Sequence, residues 1–202
     1  MDYDFDKESK KPLIMKIFIK VFIWAAEIAA VIFLAYFIVY YALERTNMIG
    51  ISMETTLTDG DQIIINKFSY RFSEPKRFDV IVFKQSGEEH SYYDIKRIVG
   101  LPGEKLQIKD GIIYINGEAV DEVVNVVPMV NFGLAAEEIS LEENEYFVLG
   151  DNRNNSEDSR FASVGMVRRE EIIGKAFIRT SPFNFINKLN LIKEVESEEE
   201  AE

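Results

Sequence analysis

The chain of 202 residues contains no cysteine and a single histidine, His90. Without thiols it can form no disulfide, no thiolate nucleophile and no Cys-ligated zinc or iron–sulfur site. One imidazole cannot build a His-rich catalytic metal centre, so no metal and no cofactor is expected. Basic residues are scarce as well: 23 Lys plus Arg stand against 35 Asp plus Glu, a net charge of −12. This sign argues against nucleic acid as a partner, because phosphates attract basic surfaces. Nucleophilic chemistry is left to Ser, Thr, Lys and carboxylates, with His90 the sole imidazole. The apolar and charged fractions, 47% and 29%, are those of a folding chain, and the length suits one domain with an appendage.

The averages hide an asymmetry. Residues 21–43 read VFIWAAEIAAVIFLAYFIVYYAL, about 23 residues with one charge and long enough to cross a hydrocarbon core of roughly 30 Å. Tyr36, Phe37, Tyr40 and Tyr41 cluster near its end, as an interfacial belt requires. The run is too long for a cleavable signal peptide and no small-x-small site follows it, so an uncleaved anchor is expected. Lys7, Lys10, Lys11, Lys16 and Lys20 precede the span and only Arg45 closely follows it. The positive-inside rule then makes residues 1–20 a cytoplasmic tail and puts everything after the span outside the cell membrane. Glu27, within the span, is read as a protonated or snorkelling side chain near the cytoplasmic face rather than a contact with a partner helix.

Residues 44–192 carry the signature of β structure. Apolar runs recur at 63–65, 80–83, 112–115 and 146–149. Asp110-Gly111 separates 106–109 from 112–115, and Asn116-Gly117 follows, two dipeptides that favour two-residue antiparallel hairpins. Beyond the anchor no long stretch has a 3.6-residue period. A mostly β, antiparallel domain of about 150 residues is expected. Residues 193–202 hold six Glu and are expected to form an acidic, disordered tail.

Three segments could carry chemistry. The first is Gly50-Ile51-Ser52-Met53-Glu54-Thr55-Thr56-Leu57. The second, Asp94-Ile95-Lys96-Arg97-Ile98-Val99-Gly100-Leu101-Pro102-Gly103, puts Lys96 among residues expected to form a buried strand ended by a Leu-Pro-Gly turn. The third runs Gly150-Asp151-Asn152-Arg153-Asn154-Asn155-Ser156-Glu157-Asp158-Ser159-Arg160. Its two arginines and lack of EF-hand spacing argue against calcium. Taken singly, each segment also reads as an ordinary polar loop or an edge strand.

In this order the three segments resemble the bacterial type I signal peptidases, membrane-bound Ser/Lys proteases that remove signal peptides from exported proteins. The resemblance spans nearly the whole chain, from the anchor through a strand over 61–70 to the third segment. It implies an antiparallel β catalytic domain behind one N-terminal transmembrane helix, with signal peptides of secreted preproteins and membrane lipid as partners. It implies Ser52 as nucleophile and Lys96 as general base, acting through an acyl-enzyme. Ser156 would orient the Lys96 amine, while Asp158, paired with Arg160, would hold the loop. A free lysine, with a pKa near 10.4, is protonated at neutral pH, and burial is what frees it to accept a proton. The Ser52 N–H is the first candidate for an oxyanion donor. Many family members have Ser where this chain has Gly50, so a second donor is the Gly50 N–H or is absent. Thr55 stands where Pro is usual, and Phe78 where Gly is usual. Substrates would carry small residues, usually Ala, at the first and third positions before the cut, with Ile49, Met53, Leu57 and Ile95 either lining the pockets or simply packing in the core. Phe68, Tyr70 and Phe72 are read as a membrane-contact edge, a pattern that one alternating face of a strand would also give. The enzyme is expected to be a monomer.

Other readings compete. A His-based hydrolase would need His90, which sits in a polar stretch without a motif. A self-cleaving Ser/Lys repressor would have a DNA-binding head where this chain has an anchor. A non-catalytic signal-peptidase-like module assisting assembly of surface proteins would be expected to lose Ser52 or Lys96, and both are present.

Overall fold

The computed structural model describes residues 10–84, 93–122, 124 and 126–186. His90 and the Glu-rich stretch 193–202 therefore lie outside the described residues. The chain divides into two compact units, Met1–Ala42 and Leu43–Glu202.

The first unit holds one helix, α1 (Lys10–Ala42). Its 33 residues reach about 50 Å at 1.5 Å each, so the helix starts well before the apolar run and outlasts a hydrocarbon core. Within it, Ile14–Ala42 has the length and composition of a membrane span, with a mean hydropathy of 2.3 in its apolar window. Helical periodicity stacks its aromatics at i, i+4: Tyr36 on Tyr40 at 5.9 Å and Phe37 on Tyr41 at 4.4 Å between ring centroids. The helix stops one residue before the end expected from hydropathy, because Leu43 already belongs to a strand.

The second unit is built from antiparallel strands, as the sequence predicts. In chain order they are β1 (Leu43–Asn47), β2 (Gln62–Asn66), β3 (Val80–Phe83), β4 (Asp94–Gly100), β5 (Lys105–Lys109), β6 (Ile112–Ile115), β7 (Glu118–Ala119), β8 (Ile139–Ser140), β9 (Glu145–Leu149), β10 (Val167–Arg168), β11 (Ile172–Thr180) and β12 (Phe183–Phe185). The larger sheet has the order β1-β2-β11-β3-β4-β9-β10, with β12 on β11; the smaller one is β7-β6-β5-β8. The two expected hairpin turns form. Asp110 and Gly111 have φ of 52° and 80°, and Asn116 and Gly117 have 52° and 85°. A left-handed pair of this kind matches the twist of the flanking strands, which explains the Asx-Gly sequences.

Alternation explains the unbroken apolar runs. On β3, Val80 and Val82 enter one apolar cluster while Ile81 and Phe83 enter another. On β9, Phe147 and Leu149 pack against the smaller sheet, and Tyr146 and Val148 face the other way. Both faces are covered, so neither strand needs a polar side.

One expectation fails. Phe68, Tyr70 and Phe72 do not share a strand face, since β2 ends at Asn66 and a single helical turn, α2 (Ser69–Phe72), follows. Asn66 Oδ1 accepts from the N–H groups of Phe68 and Ser69, both at 3.0 Å, and so diverts the backbone out of the ladder. Tyr70 turns inward and donates to Asp79 Oδ2 at 2.9 Å, whereas Phe68 and Phe72 stay exposed with rings 4.9 Å apart. Burial and the Asp79 carboxylate together raise the Tyr70 pKa far above that of an ordinary phenol.

Candidate active site

Ser52 lies in the loop that joins β1 to β2. The loop neck is closed where the Met48 N–H donates to Asp61 O at 2.8 Å and the Gly60 N–H to Met48 O at 2.9 Å. Met48, Met53 and Leu57 act as its anchors, packing with Ile63, Ile65, Val80, Val82 and Ile95. Ser52 itself is left half-buried, just after two exposed isoleucines, Ile49 and Ile51. The hydrophobic drive on the anchors thus fixes a polar residue at the surface.

Lys96 sits mid-way along β4 and is 5% exposed. Its Nζ lies 3.1 Å from Ser52 Oγ. Burial pushes the lysine below its usual range, and it does so against the charges of Asp94, Asp158 and Glu157, which favour the ammonium. A hydroxyl at hydrogen-bond distance from a desolvated amine can hand that amine its proton on becoming a nucleophile.

The third segment holds the first two in place. The Asn152 N–H donates to Ser52 O at 3.0 Å, and Asn152 Nδ2 donates to Ile51 O at 3.1 Å. Gly150 lets these backbones approach. A Cβ there would fall 2.1 Å from Ser156 Oγ and 2.5 Å from Ser52 O, so no larger residue fits. Asp158 is fully buried. It accepts from the Gly150 N–H at 3.1 Å, from Arg160 Nε at 2.8 Å and from Arg160 Nη2 at 2.9 Å. The expected Asp158–Arg160 pair is therefore present, and Arg160 also ties in the carbonyls of Asn131 and Arg153.

The geometry bears on three further expectations. Ser156 is buried beside Gly150, but its Oγ has no hydrogen-bond partner, so it makes no bond to Lys96 in this state. The Gly50 N–H is already committed to Asp59 Oδ1 at 2.7 Å and is not free to meet an oxyanion. The Ser52 N–H, by contrast, has no acceptor among the described residues. Met53, Leu57 and Ile95 are packed core rather than the lining of an open pocket, while Ile49 is 61% exposed. Their burial in one apolar cluster matches the core-packing alternative.

Sequence reasoning passed over Arg97, Asp151 and Thr56. Arg97 is 4% exposed and forks onto Asp151, which also accepts from the Thr56 hydroxyl at 2.5 Å. A buried Arg must be paired, and the single Asp of the Gly-Asp-Asn segment was the available signal. No group of three or more potential metal ligands occurs among the described residues.

Comparison with known proteins adds a family match. The model of the signal peptidase, peptidase S26 family matches residues 21–181. A probable signal peptidase I-2 from Synechocystis sp. is 40% identical over 136 residues, covering 65% of this chain and 60% of that protein. Signal peptidase I of Bacillus licheniformis is 33% identical over 178 residues, covering 83% of this chain and 92% of the relative. Among solved structures, the crystal structure of a signal peptidase I from Enterococcus faecalis is 32% identical. It gives a TM-score of 0.41 and covers 51% of this chain and 97% of its own.

Proposed function

The chain belongs to the signal peptidase family, peptidase S26, and on that premise we propose that it is a membrane-anchored serine endopeptidase. It would cut signal peptides from exported preproteins after small residues, through a Ser52/Lys96 dyad. The observation that carries this reading is the 3.1 Å approach of Ser52 Oγ to a lysine amine that burial holds below its usual range.

In this reading neutral Lys96 takes the Ser52 hydroxyl proton while Oγ bonds to the scissile carbonyl carbon, and the carbonyl electron pair moves onto oxygen. The Ser52 N–H, open among the described residues, would meet that oxyanion. One such donor is typically worth about 2.7–4 kcal/mol of transition-state stabilisation. The Lys96 ammonium then protonates the departing amine, leaving the acyl chain on Ser52. The regenerated amine deprotonates water for deacylation. Exposed Ile49 and Ile51, just before the serine in the chain, would contact the substrate, and the preference for small side chains is carried over from the family resemblance. The apolar α1 would keep the catalytic unit at the membrane, with its N-terminus cytoplasmic by the lysine bias of residues 1–20.

The test is incubation of the detergent-solubilised protein with a preprotein whose signal peptide ends in Ala-x-Ala, followed by mass measurement of the product. A single cut after the second Ala supports the proposal. Uncut preprotein, or cutting unaffected by replacing both Ala with Phe, overturns the specificity.

A further inference from the structure

A carboxylate adjoins the proposed base without a part in the chemistry above. Asp94 and Lys96 pair with Phe83 and Ile81 across the β3–β4 ladder, so their side chains leave β4 on the same face, two residues apart. Asp94 Oδ1 lies 3.8 Å from Lys96 Nζ, with the Asp94 side chain 32% exposed. The same amine lies 3.1 Å from Ser52 Oγ. Hydroxyl, amine and carboxylate thus form a contiguous series, and we propose that Asp94 is a positioning residue that holds Lys96 on Ser52 and stabilises the ammonium formed when Lys96 takes the Ser52 proton. The proposal rests on the dyad reading.

Distance singles out Asp94 among the carboxylates near Nζ. From the loop after β9, Asp158, forked onto Arg160, and exposed Glu157, which accepts from the Ser163 hydroxyl, also favour the ammonium, but from beyond ion-pair distance. From the Ser52 loop, Glu54 accepts from Asn152 Nδ2. The neighbouring Arg97 is engaged by Asp151, and β3 contributes only Val80, Ile81, Val82 and Phe83, none of them charged. Asp94 is the carboxylate within ion-pair distance of Lys96 among the described residues. Before proton transfer the amine is neutral and the carboxylate gains little from it. Once the Ser52 O–H bond has broken and its proton sits on Nζ, the two are opposite charges in a partly desolvated site. The attraction therefore grows along the reaction coordinate, which is the condition for accelerating the step rather than merely binding. The same attraction has a cost, because it also favours the resting ammonium and so moves the onset of activity to higher pH.

The experiment is the pH profile of kcat and kcat/KM for the full chain in detergent on the Ala-x-Ala preprotein, comparing wild type, Asp94→Asn, Asp94→Glu and Lys96→Ala. Asp94→Asn should move the acidic limb to lower pH and lower the plateau about 2- to 5-fold, whereas Asp94→Glu should restore both. An unfolding midpoint equal to wild type for Asp94→Asn would support an effect on the amine rather than on the fold. Superimposable profiles for Asp94→Asn and wild type overturn the proposal, as does a lowered plateau with an unmoved limb. Lys96→Ala matching wild type overturns the dyad and the role of Asp94 with it; a Lys96-dependent enzyme indifferent to Asp94→Asn overturns the role of Asp94 alone.

Discussion

Arg97 grips Asp151 through both carboxylate oxygens, Nε to Oδ1 at 2.8 Å and Nη2 to Oδ2 at 2.7 Å, in the interior of the second unit. Arg97 adjoins Lys96 on β4, Asp151 adjoins the Asn152 that holds Ser52, and the Thr56 hydroxyl of the Ser52 loop donates to the same carboxylate. One ion pair thus registers all three sequence segments against one another. Arg97 also donates to Phe78 O at 2.8 Å, which helps to hold Phe78 at a φ of 68°.

Breaking this pair from one side leaves an uncompensated buried charge, which costs about 3–5 kcal/mol. Arg97→Ala and Asp151→Ala should each destabilise by that amount in urea unfolding, and each should abolish cleavage. Arg97→Lys should rescue only partly, since an ammonium cannot reproduce the two-pronged geometry. Wild-type stability for either alanine variant would remove the pair from the account.

Lys96 makes stability depend on pH in a definite direction. Burial lowers its pKa in the folded state from 10.5, its ordinary value. Between the lowered pKa and 10.5 the unfolded chain binds more protons, so this residue's contribution rises with pH there. It is lost as pH falls through the folded pKa, below which the folded state carries a buried ammonium. Lys96→Met removes the titration. Its unfolding midpoint should therefore gain on wild type as pH falls, and a pH-independent difference would contradict a desolvated amine.

Thr55 has a φ of 91°, a left-handed value that is unfavourable for a β-branched residue. The family resemblance leads one to expect Pro here, yet proline is locked near −65° and cannot adopt this backbone. The turn after Ser52 is therefore built differently from a Pro-containing one. Thr55→Gly should stabilise by about 1 kcal/mol, and Thr55→Pro should destabilise by more than that. Thermal unfolding of the two variants decides it, and the opposite order would contradict the left-handed turn.

Much of this was legible in the sequence for local reasons. Asx-Gly pairs dictate hairpins, doubly buried strands leave unbroken apolar runs, and the resemblance named Ser52 and Lys96, whose side chains meet at 3.1 Å. Tyr70 was misplaced because Asn66, one side chain, ends β2 and starts a helical turn. Met53, Leu57 and Ile95 could be read either way, because apolarity alone does not separate the floor of a pocket from a core. Arg97 was passed over because a charge on a strand looks like a solvent face until its partner, 54 residues away, is known. Ser156 was named from resemblance, and its unpartnered Oγ could only be seen in three dimensions.

The central claim is that Ser52 and Lys96 act as one unit, and the most direct test is the cleavage rate of Ser52→Ala, Lys96→Ala and the double variant on the Ala-x-Ala preprotein. Groups that act together are non-additive, so each single variant should lose essentially all activity and the double no more. Substantial cleavage by Lys96→Ala at neutral pH would contradict the account.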